Sequence, residues 1–322
     1  MTRRVAAVDC GTNSLRLLVA DIDPDRAELT DVARRMEIVR LGQGVDKTGR
    51  LSPEALARTE AVLREYARII ADSGASAVRM VATSATRDAD NAEEFTRRVK
   101  EELGIVPEVL TGTREAMLSF TGATAELASD DAEGPFLVVD IGGGSTEFVL
   151  GHSVAAGTGD TEPAASAISV NIGCVRMTER HLHGDPPTGQ QIAAATADID
   201  AALAAVADAV PVGQARTLIG LAGSVTTVAG IAMGLPAYDA AVIHHARVSA
   251  ADVRTVTNAL LAQTRAVRAS LGVMHPGRVD VIGAGALVLD RIMSRFGFGE
   301  VLVSEHDILD GIAWSLARNS PG

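Results

Sequence analysis

The sequence predicts an α/β protein of two domains, and three observations carry that prediction. An apolar–turn–apolar stretch near the N-terminus, V-D-C-G-T-N-S-L-R-L-L-V-A-D, is echoed in mid-chain by V-D-I-G-G-G-S-T-E-F-V-L. After the first copy, apolar strand-like runs alternate with helical stretches. At 322 residues the chain is too long for one ordinary core and suits two domains of about 150 residues each.

In the two copies Asp9 aligns with Asp140, Gly11 with Gly142, Ser14 with Ser145 and Arg16 with Glu147. Each reads as a strand, a tight turn and a second strand. Small turn residues let a backbone approach a phosphate and point successive N–H groups into one concavity. Two such hairpins facing each other place two anion cradles and two carboxylates around one cleft. An Asp at each strand end can hold hydrated Mg²⁺. One copy alone is also an ordinary hairpin turn, and neither copy is a Walker A or a Rossmann fingerprint.

The elements follow in order. Residues 4–40 read as three strands, ending at the turn signal L-G-Q-G-V-D-K-T-G-R. Ser52 caps a helix with Pro53 at its first position and Glu54 in its first turn, running to about Asp72. A-V-R-M-V-A-T is a short strand, S-A-T-R-D-A-D-N a polar loop, and 92–103 a helix. A strand near 106–110 leads into a helix for which Thr113 is the candidate cap. The second hairpin spans 135–150, and the Gly/Ala/Thr-rich stretch 152–168 reads as a solvated loop. Beyond it come a strand near 168–172, an Ala-rich helix over 188–210 and a strand at 218–221. The A-G-S-V-T-T-V-A-G run opens another helix, and 305–317 reads as a terminal helix. We place domain I at 1–122, completed by the C-terminal helix 305–322, and domain II at 123–304.

Composition narrows the function. Apolar residues make up 47% and charged residues 22%, a globular balance, and aromatics only 3%. Lys47 and Lys100 are the only lysines, so the cations are nearly all arginines, whose forks suit phosphate; a GC-rich coding sequence gives the same bias. A net charge of -12 argues against general nucleic-acid binding. Backbone cradles, a few arginines and a divalent cation can still hold a polyanion. Cys10 and Cys174 make neither a disulfide framework nor a metal-ligand spacing. Asp9 and Arg16 interrupt the N-terminal apolar run, and no segment offers 18 uninterrupted apolar residues. The expectation is a cytoplasmic protein without membrane contact. His244 and His245 are read as loop residues, since adjacent side chains point apart and no carboxylates are spaced to join them.

The hairpins and their surroundings resemble the actin/Hsp70/sugar-kinase superfamily. More narrowly, the chain resembles the exopolyphosphatase/guanosine pentaphosphate phosphohydrolase (Ppx/GppA) family, in its short two-domain form. The motifs that carry this, in order, are the first hairpin, A-T-S-A-T-R-D-A-D-N, V-L-T-G-T-R-E-A-M-L-S-F-T-G and the second hairpin. They continue with S-V-N-I-G-C-V-R, L-A-G-S-V-T-T-V-A-G and H-P-G-R-V-D-V-I-G-A-G-A.

The resemblance implies two actin-like, ribonuclease H-like α/β domains with the active site in an interdomain cleft. It implies Glu115 as catalytic base and Glu147 as a second essential carboxylate. Asp9, Asp140 and Glu147 would hold Mg²⁺, with a monovalent cation such as K⁺ as a further candidate. Thr12, Asn13 and Ser14 would bind one phosphate, and Gly143, Gly144 and Ser145 another. Arg87 would clamp a terminal phosphate, Asn91 would orient its loop or the ligand, and Gly223 and Ser224 would form a third anion site. Each has a plainer alternative: a first-turn helix Glu for Glu115, a solvent-facing hairpin residue for Glu147, a surface pair with Asp88 or Asp90 for Arg87, and an unliganded helix start for Gly223 and Ser224. Arg114 stands where the family motif has a Glu, and an adjacent cation weakens a carboxylate base.

The implied activity is release of terminal orthophosphate from inorganic polyphosphate or guanosine pentaphosphate, by a homodimer. The rivals are a polyphosphate- or pentaphosphate-binding regulator without strong catalysis and a sugar-kinase-like phosphotransferase.

Overall fold

A computed structural model describes residues 2–125, 127, 132–152 and 166–318. These separate into two compact units, 2–127 with 306–318, and 132–152 with 166–305. Most of the solvated loop expected over 152–168 lies outside the described residues, and the strand beyond it begins at Ser166.

The first unit opens with β1 (Arg3–Cys10), β2 (Ser14–Asp23) and β3 (Glu28–Ile38). It continues through α1 (Val45–Thr48), α2 (Pro53–Ser73), β4 (Ala77–Ala82), α3 (Ser84–Arg87), α4 (Ala92–Leu103), β5 (Glu108–Val109) and α5 (Gly112–Thr124). The second unit holds β6 (Phe136–Ile141), β7 (Thr146–Gly151), β8 (Ser166–Val170), α6 (Cys174–His181), α7 (Gly189–Ala209) and β9 (Thr217–Leu221). It goes on with α8 (Ala222–Ala232), α9 (Ala240–Ile243), β10 (Arg247–Ser249), α10 (Ala250–Ala262), α11 (Arg265–Ala269), α12 (Ile282–Phe296) and β11 (Glu300–Val303). Last comes α13 (Ile308–Arg318).

The two sheets share a plan. The first has the order β3-β2-β1-β4-β5, and the second β10-β11-β9-β6-β7-β8. In each, a central buried strand (β1 or β6) pairs antiparallel with its hairpin partner and parallel with a strand that follows a crossover. Both central strands carry a four-residue apolar run, 5–8 and 136–139, ahead of the Asp, as strands buried on two faces require. Helices cover the first sheet on both sides. Leu56, Leu63, Phe95 and Val99 of α2 and α4 join one core, and Ile308, Ile312 and Trp314 of α13 join the other. A single larger core serves the second unit.

Local chemistry explains most boundaries. Ser52 accepts from the Ala55 N–H at the head of α2, with Pro53 next to it, and Gly74 closes the helix in the left-handed region. Thr188 and Gln191 form a reciprocal capping box on α7. Three expectations need correction. The polar S-A-T-R segment is a one-turn helix, α3. The strand near 106–110 shrinks to two residues. The cap of α5 is Thr111, which accepts from the Arg114 N–H, so Thr113 lies within the first turn. Threonines two apart are equivalent to a sequence pattern; only the backbone angle at Thr111 separates them.

Candidate active site

In the first unit the β1–β2 register sets Asp9 opposite Arg16. Arg16 donates from Nε (3.0 Å) and Nη2 (2.7 Å) to one oxygen, Asp9 Oδ2, and from Nη1 to Asp307. Asp9 is 3% exposed, and its Oδ1 is buried without a hydrogen-bond partner. Burial pushes the Asp9 carboxyl above its ordinary value, Arg16 opposes that rise and Asp307 adds to it.

The turn beyond is built to present N–H groups. Gly11 N–H donates to Ser14 O (2.9 Å), closing it. The carbonyls of Thr12 and Asn13 accept from Gly42 N–H and Arg40 N–H, at 2.8 Å each. With its carbonyls tied from behind, the loop leaves the Thr12 and Asn13 N–H groups without a backbone acceptor among the described residues. The Thr12 hydroxyl is likewise buried and unpartnered.

Arg87, on α3, meets Glu115, on α5. Its Nη1 donates to Glu115 Oε2 (3.1 Å) and to Leu110 O (2.9 Å). The surface pair with Asp88 or Asp90 is therefore not the arrangement found. Among the described residues Arg87 Nε and Nη2 make no hydrogen bond, so half of the fork is left to meet an anion. Glu115 is 8% exposed despite its first-turn position, so it is no solvated helix-start Glu. Arg114 is exposed. Asn91 clasps Leu51, accepting from its N–H (2.8 Å) and donating to its carbonyl (3.1 Å), which fixes the loop ahead of α4.

The second unit repeats the backbone and changes the charges. Gly142 N–H donates to Ser145 O (3.1 Å), as in the first turn. The carbonyls of Gly142, Gly143 and Gly144 accept from the N–H groups of Cys174, Val175 and Arg176, and of Gly173, at the start of α6. Arg176 Nε adds a bond to Gly144 O (2.7 Å). Gly143, Gly144 and Ser145 keep N–H groups without a backbone acceptor among the described residues. Opposite Asp140 stands a carboxylate, Glu147. Glu147 is 2% exposed, so the solvent-facing alternative fails, and Ser169 on β8 donates its hydroxyl to Glu147 Oε1 (2.7 Å).

Gly223 and Ser224 sit in the first turn of α8, entered through Ala222 at φ 69. A Cβ on Gly223 would lie 2.1 Å from the Arg278 guanidinium, so that cation rests on the glycine. Ser224 bonds the Cys174 thiol; burial raises that thiol's pKa, while Ser224 and the Arg278 charge lower it. His244 and His245 correct another expectation: their rings stack at 3.8 Å. His245 has φ 61, which swings its ring back over its neighbour.

Comparison with known proteins decides the family. A family model described as the Ppx/GppA phosphatase family matches residues 18–320. The chain belongs to that family. It is 51% identical to exopolyphosphatase 2 of Mycobacterium tuberculosis, over 98% of each chain. Its fold matches the crystal structure of an exopolyphosphatase-like protein with a TM-score of 0.92 and 45% identity, covering 98% of each chain. The Aquifex aeolicus PPX-GPPA enzyme matches with a TM-score of 0.78 and 30% identity, over 98% of this chain and 100% of its own. The two-sheet α/β architecture is thus the actin-like fold of Ppx/GppA proteins.

The family implies Mg²⁺, and the donors suit it. Among the described residues no cluster of three or more His, Cys, Asp or Glu forms a dedicated cage. Mg²⁺ needs none: it keeps waters and uses one or two carboxylates plus substrate phosphates. Asp9 Oδ1, buried and unpartnered, and the Asp140–Glu147 rung are donors of that kind. Sequence reading missed Gly173, Arg176 and Arg278, which brace the Ppx/GppA loops. Their only signal was membership of the N-I-G-C-V-R and H-P-G-R runs. Among the described residues no helix is long and apolar enough to cross a membrane.

Proposed function

We propose that this protein releases terminal orthophosphate from inorganic polyphosphate, with guanosine pentaphosphate as the competing substrate. The observation that supports the reading is the duplicated turn, in which the Thr12, Asn13, Gly142, Gly143 and Gly144 carbonyls are bonded from behind and the N–H groups of Thr12, Asn13, Gly143, Gly144 and Ser145 have no backbone acceptor among the described residues. The name of the 51%-identical relative, exopolyphosphatase 2, favours the polymer.

Glu115 takes a proton from the attacking water, and Arg87, 3.1 Å from it, orients the carboxylate while its remaining N–H groups meet the terminal phosphate. Thr12, Asn13 and Ser14 hold one phosphate; Gly143, Gly144 and Ser145 hold another. Gly223 and Ser224, backed by Arg278, offer anion contacts at the α8 N-terminus. Asp9, Asp140 and Glu147 are the residues that would hold Mg²⁺, which would supply neutralising charge to the phosphate oxygens.

The test is phosphate release with Mg²⁺ from short polyphosphate, long polyphosphate and guanosine pentaphosphate. Glu115→Gln is expected to lower release by about 10²–10⁴-fold. Tight binding with no release from any substrate would leave a regulator, and a Glu115→Gln variant with full activity would remove the base assigned here.

A further inference from the structure

We propose that Arg16 and Asp307 are positioning residues for Asp9, and that helix α13 brings Asp307 to that task. This takes Asp9 to work on the phosphate chain, as proposed above.

The guanidinium of Arg16 lies between two carboxylates that are 3% and 5% exposed. Two of its nitrogens converge on Asp9 Oδ2, which fixes the carboxylate's rotation and leaves Oδ1 as the single open oxygen. The third nitrogen is held by Asp307, so the fork cannot swing away from Asp9. Asp307 is itself pinned. Its Oδ1 accepts from Leu309 N–H (3.0 Å), and its own N–H donates to Asp310 Oδ2 (2.8 Å). Asp310 Oδ1 in turn accepts from Arg34 Nη2 (2.6 Å).

The backbone of Asp307 is equally constrained. A Cβ on Gly122 would lie 1.8 Å from the Asp307 carbonyl, and one on Gly311 would lie 2.0 Å from Leu118 O. Gly122 and Leu118 belong to α5, the helix that carries Glu115. One residue therefore touches Asp9's partner through its side chain and Glu115's helix through its carbonyl. A purely stabilising role for the ion pairs accounts poorly for this. Ile308, Leu309, Ile312, Ala313 and Trp314 already bury the apolar face of α13, and buried charge clusters are weak sources of stability.

Trp314, 2% exposed on α13, is the only tryptophan in the chain, so its emission reports whether that helix stays docked. We would measure kcat and KM for phosphate release, with Trp314 emission, in wild type, Arg16→Lys, Asp307→Asn and the double variant. Asn keeps the shape of Asp and can still cap Leu309. Each single variant is expected to lose about tenfold or more in kcat with KM nearly unchanged and emission unshifted, as a misplaced group does. The double variant should be no worse than the poorer single, since both act through Asp9. Ser315→Ala, which removes the Arg79 contact to α13 and the Ser315 hydroxyl's bond to Ile312 O but leaves Asp307 untouched, should keep wild-type kcat.

Wild-type kcat in both single variants would overturn the inference, and a Glu115-dependent wild type would then leave the proposed function standing. A red shift of Trp314 in step with the loss of kcat would also overturn it, because the residues would then only dock the helix. A wild type that releases no phosphate removes both readings together.

Discussion

The two hairpins have one backbone and opposite electrostatics. Both turns close with a Gly N–H to Ser O bond, and both have their carbonyls tied by a segment behind them. Across the first strand pair, however, Asp9 faces an arginine, and across the second Asp140 faces a glutamate. The first carboxylate is locked by an arginine that it shares with Asp307. The second faces another carboxylate, Glu147, to which the neutral hydroxyl of Ser169 donates. On the proposed function, the repeated cradle is where phosphate would bind and the unrepeated rung is where a cation would be held. Like charges directly opposite on a sheet are destabilising, so under the proposed function the second rung is a place where function would oppose stability.

The largest expected effect breaks that rung. Glu147→Gln should reduce phosphate release by about 10²-fold or more, as loss of an electrostatic group at a reacting centre does. It should also raise stability by roughly 0.2–1 kcal/mol, because one of two facing charges is gone. Paired activity and denaturation measurements check both signs, and a variant that is less stable would show that Asp140 and Glu147 do not repel.

Next come the glycines behind each cradle. A Cβ on Gly173 would sit 2.3 Å from the Gly143 backbone, whereas one on Gly42 would sit 2.3 Å from the Thr12 side-chain methyl. Backbone cannot rotate aside, whereas the Thr12 methyl can turn about χ1, leaving the lesser crowding of Ala85 Cβ at 3.0 Å and Thr12 Cβ at 3.2 Å. Gly173→Ala should therefore cost about 3 kcal/mol and most of the activity, and Gly42→Ala about 1 kcal/mol. Equal costs in urea melts would mean that the two braces are equally stiff.

The smallest effect sharpens the contrast between the two partners. Ser169→Ala removes a 2.7 Å bond to Glu147. It should cost about 1.5–3 kcal/mol if Glu147 is ionised and nearer 1 kcal/mol if it is protonated. Thermal melts of Ser169→Ala in the wild-type and Glu147→Gln backgrounds distinguish the two.

Local signals were legible wherever chemistry is local. The Ser52–Pro53 start of α2, the span of α4 and both hairpins follow from caps and periodicity. The family's motifs also pointed to Arg87 and Glu115, but not to their contact, since they stand 28 residues apart. Thr111 and Thr113 both fit the cap pattern, and only the backbone at Thr111 distinguishes them. The stacking of His244 on His245 is not legible in the sequence because it goes with a left-handed φ that no residue type in that run demands. Asp307 gave no signal at all: its partner Arg16 lies 291 positions away.

By itself, then, the sequence determined the strand–turn–strand units, the helix caps, the family and the residue types at the candidate site. Those depend on dihedral preferences and hydrogen bonds within a few residues. Only the tertiary structure decided which charge faces which carboxylate, which backbone braces each cradle and which helix closes the first unit. Those are fixed by register and close approach between distant segments, where one glycine or one rung of pairing selects among partners that the linear pattern leaves equivalent.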